Sequence, residues 1–201
     1  MNKVKIGIEV HIQLNTKSKL FCGCSTDYKE PNSVVCETCL GMPGSKPRLN
    51  QDSIIKGIKL ALALNCKIQD KMLFSRKTYF YPDLSKNYQI TQYENPLAKG
   101  GFLKVKGKKI RITRLQIEED PASIHHKQDY VLIDYNRSGV PLLELVTEPD
   151  FENVEEVIAF LDELTTILGD KIDPEYCNWA EKLLEDNNPT EIVASVLNYC
   201  F

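Results

Sequence analysis

Val4-Lys-Ile-Gly-Ile-Glu-Val-His-Ile-Gln-Leu14 alternates without a fault, with Val4, Ile6, Ile8, Val10, Ile12 and Leu14 in one phase. Successive side chains of a strand point to opposite faces, so the segment reads as a half-buried strand. Its other face carries Glu9 and His11 two positions apart. A carboxylate and an imidazole side by side on a rigid strand can bind a divalent metal or move a proton. An ordinary polar face on an antiparallel strand reads the same way.

Outward from this strand, Asn15–Asn50 is a long irregular stretch with four cysteines and several Gly and Pro residues. Loops of that length are uncommon in compact domains unless something ties them down. Cys22-Gly-Cys24 and Cys36-Glu-Thr-Cys39 are two close pairs, a spacing that can close around one zinc ion and leave no open position. The alternatives are reduced thiols or, in an oxidising setting, a disulfide. Cys66, Cys177 and Cys200 sit among apolar residues and read as small core side chains.

Asn50 can cap a helix reaching about Leu64, with Ile54, Ile55, Ile58, Ala61 and Leu62 as its apolar stripe. Beyond it the chain reads β-rich, with strands expected at Met72–Phe74, Gln89–Gln92, Phe102–Val105, Ile110–Ile117 and Tyr130–Ile133. The apolar phase slips between Ile112 and Leu115, which predicts a bulge leading into Glu118-Glu119-Asp120. Glu144 and Glu148 are placed near a helix start. These carboxylates, with Glu9 and His11, could converge on one Mg²⁺, which favours carboxylates, waters and phosphate oxygens. His125-His126 reads as solvent-facing. An acidic helix follows, with Asp150 near its start, Val154, Val157, Ile158, Leu161, Leu164 and Leu168 as its stripe, and Gly169 as its stop. A short helix near Tyr176–Leu184 and a last helix opened by Asn188-Pro189-Thr190-Glu191 complete the reading.

Apolar content of 42% and charged content of 26% are those of a folded globular chain. No segment has membrane-spanning length, and the N-terminus alternates where a signal peptide would be continuously apolar. Seven cysteines without a secretory signal point to a reducing, cytoplasmic setting. The net charge of −3 conceals a split: residues 1–147 hold 23 Lys and Arg against 14 Asp and Glu, and residues 148–191 hold 2 against 14. Such asymmetry suits a basic body facing an acidic partner such as RNA phosphate, or a solvated hairpin rim. Arg76-Lys-Thr-Tyr-Phe-Tyr-Pro-Asp83 interleaves basic and aromatic residues, which can stack a base while gripping phosphate or simply pack in a core. Neither a Walker loop nor G-x-G-x-x-G nor G-x-S-x-G is present.

Ile6–Leu14, Lys19–Cys24, Cys36–Gly41, Arg76–Asp83, Gln89–Tyr93, Glu118–Asp120, Asp134–Glu144 and Glu148–Asp150, in this order, closely resemble the GatB family in the style of its archaeal members. These are the B-type subunits of the glutamine-dependent tRNA amidotransferases. The resemblance implies an α+β, mixed or antiparallel cradle-type domain with a zinc-bearing loop and a few helices, followed by C-terminal helices. It covers residues 1–168, leaving 169–201 as an atypical acidic-to-apolar helical tail. It implies a carbon–nitrogen ligase that uses Mg²⁺ and ATP to phosphorylate the side-chain carboxylate of Glu-tRNA(Gln) or Asp-tRNA(Asn). Ammonia released from glutamine by the A-type amidase partner then gives Gln-tRNA or Asn-tRNA, and a small C-type partner stabilises the heterotrimer. By the same resemblance, Glu9, His11, Glu118, Glu119 and Glu148 are catalytic, and Glu9, His11, Glu119 and Glu148 surround Mg²⁺. Cys22, Cys24, Cys36 and Cys39 hold structural Zn²⁺. Arg76, Lys77, Tyr79, Tyr81 and Asp83, with Asn136 and Arg137, meet the charged tRNA end. Two departures stand out. Pro121-Ala122-Ser123 replaces a family segment bearing glycine and lysine, and the family's second catalytic segment does not follow residue 168. The expectation is therefore an incomplete form of the enzyme; the alternative is a non-catalytic, zinc-stabilised module that binds RNA or protein.

Overall fold

The computed structural model describes residues 5–169 and the backbone of 194–196. Elements run β1 (Glu9–Leu14), α1 (Gln51–Ala63), β2 (Lys67–Ile68), β3 (Ser75–Lys77), β4 (Gln89–Thr91), β5 (Ala98–Lys99) and β6 (Phe102–Val105). They continue β7 (Lys108–Glu119), β8 (Ser123–His126), β9 (Val131–Asp134), β10 (Pro141–Thr147), α2 (Val154–Gly169) and β11 (Ala194–Val196). The class is α+β: seven strands form one antiparallel sheet in the order β11-β1-β10-β7-β5-β2, with β6 also paired to β7. The hairpins β3–β4 and β8–β9 stand as separate two-stranded sheets.

Strand β1 begins at Glu9, later than the alternation, although Ile6 still bridges Phe151. Val10, Ile12 and Leu14 are buried and meet Leu115, Ile117, Leu143 and Leu145 in one core on one face of the sheet. Helix α1 lies over that face. Gly57 lets it approach closely, because a Cβ there would come within 2.6 Å of the Leu97 side chain and 3.4 Å of Leu143. The buried side of α1 centres on Ile55, Leu60 and Ala61, whereas Ile54, Ile58 and Leu62 of the expected stripe are only half-buried. Asn50 caps it as expected, its side chain accepting from the Ser53 amide.

The phase slip in β7 is a bulge. Arg114 pairs with Val146 and Ile112 with Thr147, so Thr113 is the extra residue. Without it, either Ile110 and Ile112 or Leu115 and Ile117 would face the wrong side. The β6–β7 hairpin closes through Lys106 and Gly107, whose φ values of 50° and 80° make the mirror-image turn that matches strand twist.

Several expectations are corrected. Met72–Phe74 is not a strand; Phe74 instead packs edge-on against Phe21, with ring centroids 5.3 Å apart. Glu144 and Glu148 do not open a helix: Glu144 is in the middle of β10, a central strand, and Glu148 follows its end. Asp150 lies four residues before α2, as expected near its start, and Asn153 is the residue that caps it. The Asn153 side chain accepts from the Glu156 amide at 2.9 Å, while Asp150 receives two side-chain bonds from Arg111. Phe160, Leu164 and Leu168 are the buried residues of α2, and Val154 and Ile158 are exposed. Phe160 stacks edge-on with Phe151 at 5.4 Å. Ala194–Val196, expected in a last helix, pairs as a strand with β1. The helix near Tyr176–Leu184, the Asn188 cap, Cys177 and Cys200 lie outside the described residues.

The charge split also acquires a structural meaning. Lys108 pairs with Glu156 at 2.8 Å and Arg111 with Asp150 at 2.6 Å. The acidic segment around α2 therefore neutralises part of the basic hairpin within the same chain.

Candidate functional site

Pairing of β1, β10 and β7 places one polar row on the face opposite the core. His11 lies across from Glu144, and Glu144 across from Gln116. Glu118, two residues beyond Gln116, shares that face because strand side chains alternate. The His11 Nε2 atom is 3.6 Å from a Glu118 oxygen and 3.8 Å from a Glu144 oxygen. The donor atoms of these three residues lie within 4.8 Å of one another, a group that could hold a metal ion. His11 is 43% exposed at its side chain, against 4% and 9% for the two carboxylates. The cluster is thus open to a ligand only on the imidazole side.

A network sets the angle of both carboxylates. The Gln116 amide donates to Glu144 at 2.7 Å and to Glu118 at 2.8 Å, while its oxygen accepts from Arg114 Nε at 2.7 Å. Strand β4 covers the row: the Thr91 hydroxyl and the Gln89 amide both donate to Glu118. Hydrogen bonds to Glu118 and then Glu144 push the His11 pKa up to about 10. Burial pulls Glu118 up, but bonds from His11, Thr91 and Gln116 outweigh it and hold the carboxyl at about 2. A cation between these groups would replace the imidazolium proton as the positive charge, because a metal ligates neutral imidazole.

The other residues of the expected set lie outside this trio. Glu9 is exposed on β1, two positions from His11, opposite Val146. Glu148 sits past the bulge, where it accepts from the Thr113 hydroxyl at 2.8 Å. Glu119 points away from the row and forms a buried ion pair with Lys86. Burial raises its pKa, and the Lys86 charge opposes that rise. Asp120 is also raised by burial and held by a 2.7 Å bond from Arg137.

Arg76 and Lys77 lie on β3, with Arg76 stacked over the Tyr88 ring at 4.8 Å. Phe80, Tyr81 and Tyr93 are exposed, Phe80 at 92%. Tyr79 is half-buried. Burial and the charges of Asp83, Glu118 and Asp120 raise its pKa. Asp83 is itself raised by burial. Asn136 is wholly buried; it accepts from the Val34 amide and donates to Glu30, tying the cysteine loop to the β9–β10 connection.

The second cluster is in that loop. The sulfurs of Cys22, Cys24, Cys36 and Cys39 lie within 4.8 Å of one another, and those of Cys36 and Cys39 are 3.9 Å apart. A tetrahedral zinc with bonds of about 2.3 Å would set its sulfurs about 3.8 Å apart, so the donor set fits. Cys39 Sγ accepts from the Cys36 amide at 3.1 Å. Contact with Cys22, that amide and the Lys19 charge lower the Cys39 pKa to about 4 against the effect of burial. The other cysteine expected in the core within the described residues, Cys66, is buried there, which raises its pKa to about 12.

Gln116 and Lys86 were not singled out by the sequence reading. The signal for Gln116 was available, since the bulge puts it in phase with Glu118. Lys86 lies in a loop without periodicity, and nothing in the sequence foretells its partner.

Comparison with known proteins gives a consistent result. Residues 4–175 match the family model described as the GatB/GatE catalytic domain. The chain is 53% identical to the B-type subunit of the aspartyl/glutamyl-tRNA(Asn/Gln) amidotransferase of Saccharolobus solfataricus, across 82% of this chain and 38% of that relative. It is 51% identical to the protein of the same name from Methanoregula boonei, across 82% and 37%. With the Campylobacter curvus protein the identity is 50%, across 84% and 36%. The chain thus spans less than two fifths of the length of the curated relatives it matches.

Proposed function

The chain belongs to the GatB/GatE catalytic-domain family, and from that premise we propose that it supplies the metal-bearing wall of a site activating the side-chain carboxylate of Glu-tRNA(Gln) or Asp-tRNA(Asn) with ATP. The observation that carries this reading is the row His11, Glu118 and Glu144, open on one side and held by Gln116. Carboxyl phosphorylation brings phosphate oxygens toward a carboxylate, and a divalent cation offsets that charge. Mg²⁺ at the row would be held by Glu118 and Glu144 with His11, leaving positions for water and phosphate oxygens. Glu9 and Glu148 border the row as sources of second ligands through water. Arg76, Lys77 and the exposed aromatics supply charge and stacking for a nucleotide. Glu119 and Lys86 form a buried charged layer behind the site, with Asp120 and Arg137 as a second pair beside it.

The four cysteines suit structural Zn²⁺, which would account for how so long a loop keeps one shape. The relatives' names describe one subunit of an amidotransferase. By the family resemblance the partners are the A-type amidase, the small C-type protein and misacylated tRNA, in the cytoplasm. Among the described residues no helix is long and apolar enough to cross a membrane.

Because the chain spans a minor share of its relatives, turnover is proposed to need the remainder of the pocket. The test is ATP-dependent conversion of Glu-tRNA(Gln) to Gln-tRNA(Gln) by the Saccharolobus relative with residues 4–168 of this chain in place of its own, its partner proteins being supplied. His11→Ala should lower turnover at least about a hundredfold. Equal turnover of the two forms refutes the role of the row. Turnover by the 201-residue chain itself, equal to that of the full-length relative, refutes the need for the remainder.

A further inference from the structure

Lys19 is fully buried. Its ammonium contacts Val34 O at 2.9 Å, Tyr135 O at 3.4 Å and Cys39 Sγ at 3.6 Å, and among the described residues no carboxylate pairs with it. Three acceptors match the three protons of an ammonium group. Two carbonyl dipoles and a single sulfur are poor compensation for a cation taken wholly out of water, which costs several kcal/mol. Without a metal, Cys39 is the one sulfur that faces it. Four thiolates around one divalent ion keep a net negative charge, and Lys19 lies against it.

We propose that Lys19 is the built-in counter-cation of the four-cysteine metal centre, so that the buried ammonium and the metal–thiolate cluster stabilise one another. The proposal rests on the zinc reading and adds to it a charge that no ligand supplies. It also gives the centre a second effect. The Tyr135 carbonyl held by Lys19 opens the turn to Gly139, which leads directly into β10 and Glu144. That turn is packed tightly: Gly139 has a φ of 88°, and a Cβ there would touch both Cys39 and the Lys19 stem at 3.5 Å. Ser85 and Ser138 both donate to the Cys39 carbonyl, joining the cysteine loop to the Ser85–Lys86 turn as well. An occupied centre therefore fixes the approach to the acidic row, and an empty one leaves a buried cation against it.

The test measures zinc affinity, by competition with a chromophoric chelator, and thermal melting with and without zinc, on the full chain and its Lys19→Met, Lys19→Gln and Lys46→Met forms. Lys46 lines a concavity with Cys22, Cys24 and Cys36 but is exposed, so it controls for the loss of a nearby charge. Lys19→Met is expected to weaken zinc binding by about 10- to 100-fold, the range for partners that support metal ligands. Its zinc-free form should melt no lower than the zinc-free wild type, because a buried cation facing a single sulfur is gone. Lys19→Gln keeps hydrogen bonding without charge and should follow Lys19→Met, and Lys46→Met should follow wild type. Unchanged affinity in Lys19→Met, equal destabilisation with and without zinc, or a Lys19→Gln form that behaves as wild type overturns the proposal. A wild-type chain that binds no zinc refutes the metal reading itself, a result distinct from zinc binding to which Lys19 is indifferent.

Discussion

Replacing Lys86 by Met leaves Glu119 as a buried carboxylate without its cation. The two side chains are 10% and 4% exposed, so water cannot take over. Removing one member of such a pair costs about 3–5 kcal/mol. At a urea slope of about 2 kcal/mol per molar, the unfolding midpoint should fall by roughly 1.5–2.5 M. The loss should depend on pH in a set direction. Burial already holds the Glu119 pKa above its ordinary value of 4.5, and without Lys86 it rises further. The folded state then binds a proton that the unfolded state releases, so stability declines as pH rises. The deficit should be small near pH 4.5 and grow toward neutrality. In the Lys86→Met/Glu119→Gln double variant no charge is stranded, and its loss should be no greater than that of either single variant. Urea denaturation of the four forms, zinc held constant, measures this. A double variant whose loss equals the sum of the singles, or a Lys86→Met deficit that does not vary with pH, refutes the reasoning.

Asn50→Ala removes the α1 cap and also the bonds from Asn50 to Ser18 at 2.9 and 3.0 Å. It should cost about 1–2 kcal/mol in denaturant unfolding, the upper range for a cap; a cost near zero would show that the cap bond is not formed. Arg111 holds the Asp150 carboxyl down to about 2 from 3.8. The stability this pair adds is fully present above pH 3.8 and is lost as pH falls through 2, so the stability difference between wild type and Asp150→Asn should vanish in strong acid; a gap that widens there contradicts it. Phe160→Ala empties the contact with Phe151 and should cost about 3–5 kcal/mol, whereas Val154→Ala on the exposed side of α2 should stay within about 0.5 kcal/mol.

Strand β1 was legible because one face is buried and the other is not, which writes a period of two into the sequence. The bulge at Thr113 was legible for the same reason, as a slip in that period. The cysteine spacing gave the loop's cluster directly. Strand β10 was hidden. Pro141-Leu-Leu-Glu-Leu-Val-Thr147 is covered on both faces, so its apolar run shows no alternation and Glu144 has the look of a helix-start carboxylate. That concealment displaced a metal-site candidate from strand to helix. Helix α2 misled in another way: its spacing fits more than one face, and only the contact with Phe151 selects Phe160 over Val154 and Ile158. Glu118 and Glu119 differ only in strand parity, which the bulge controls. One therefore joins His11 and the other joins Lys86.

The central claim is that His11, Glu118 and Glu144 form a divalent-cation site. Binding of Mn²⁺ as a probe for Mg²⁺, followed by electron paramagnetic resonance on the full chain, tests it most directly. Wild type should bind one ion that Mg²⁺ displaces. His11→Ala and Glu118→Gln should each weaken binding by more than about tenfold, with Lys46→Met unchanged. Binding that survives both changes at the acidic row, or that is lost instead with Glu119→Gln, would contradict the account.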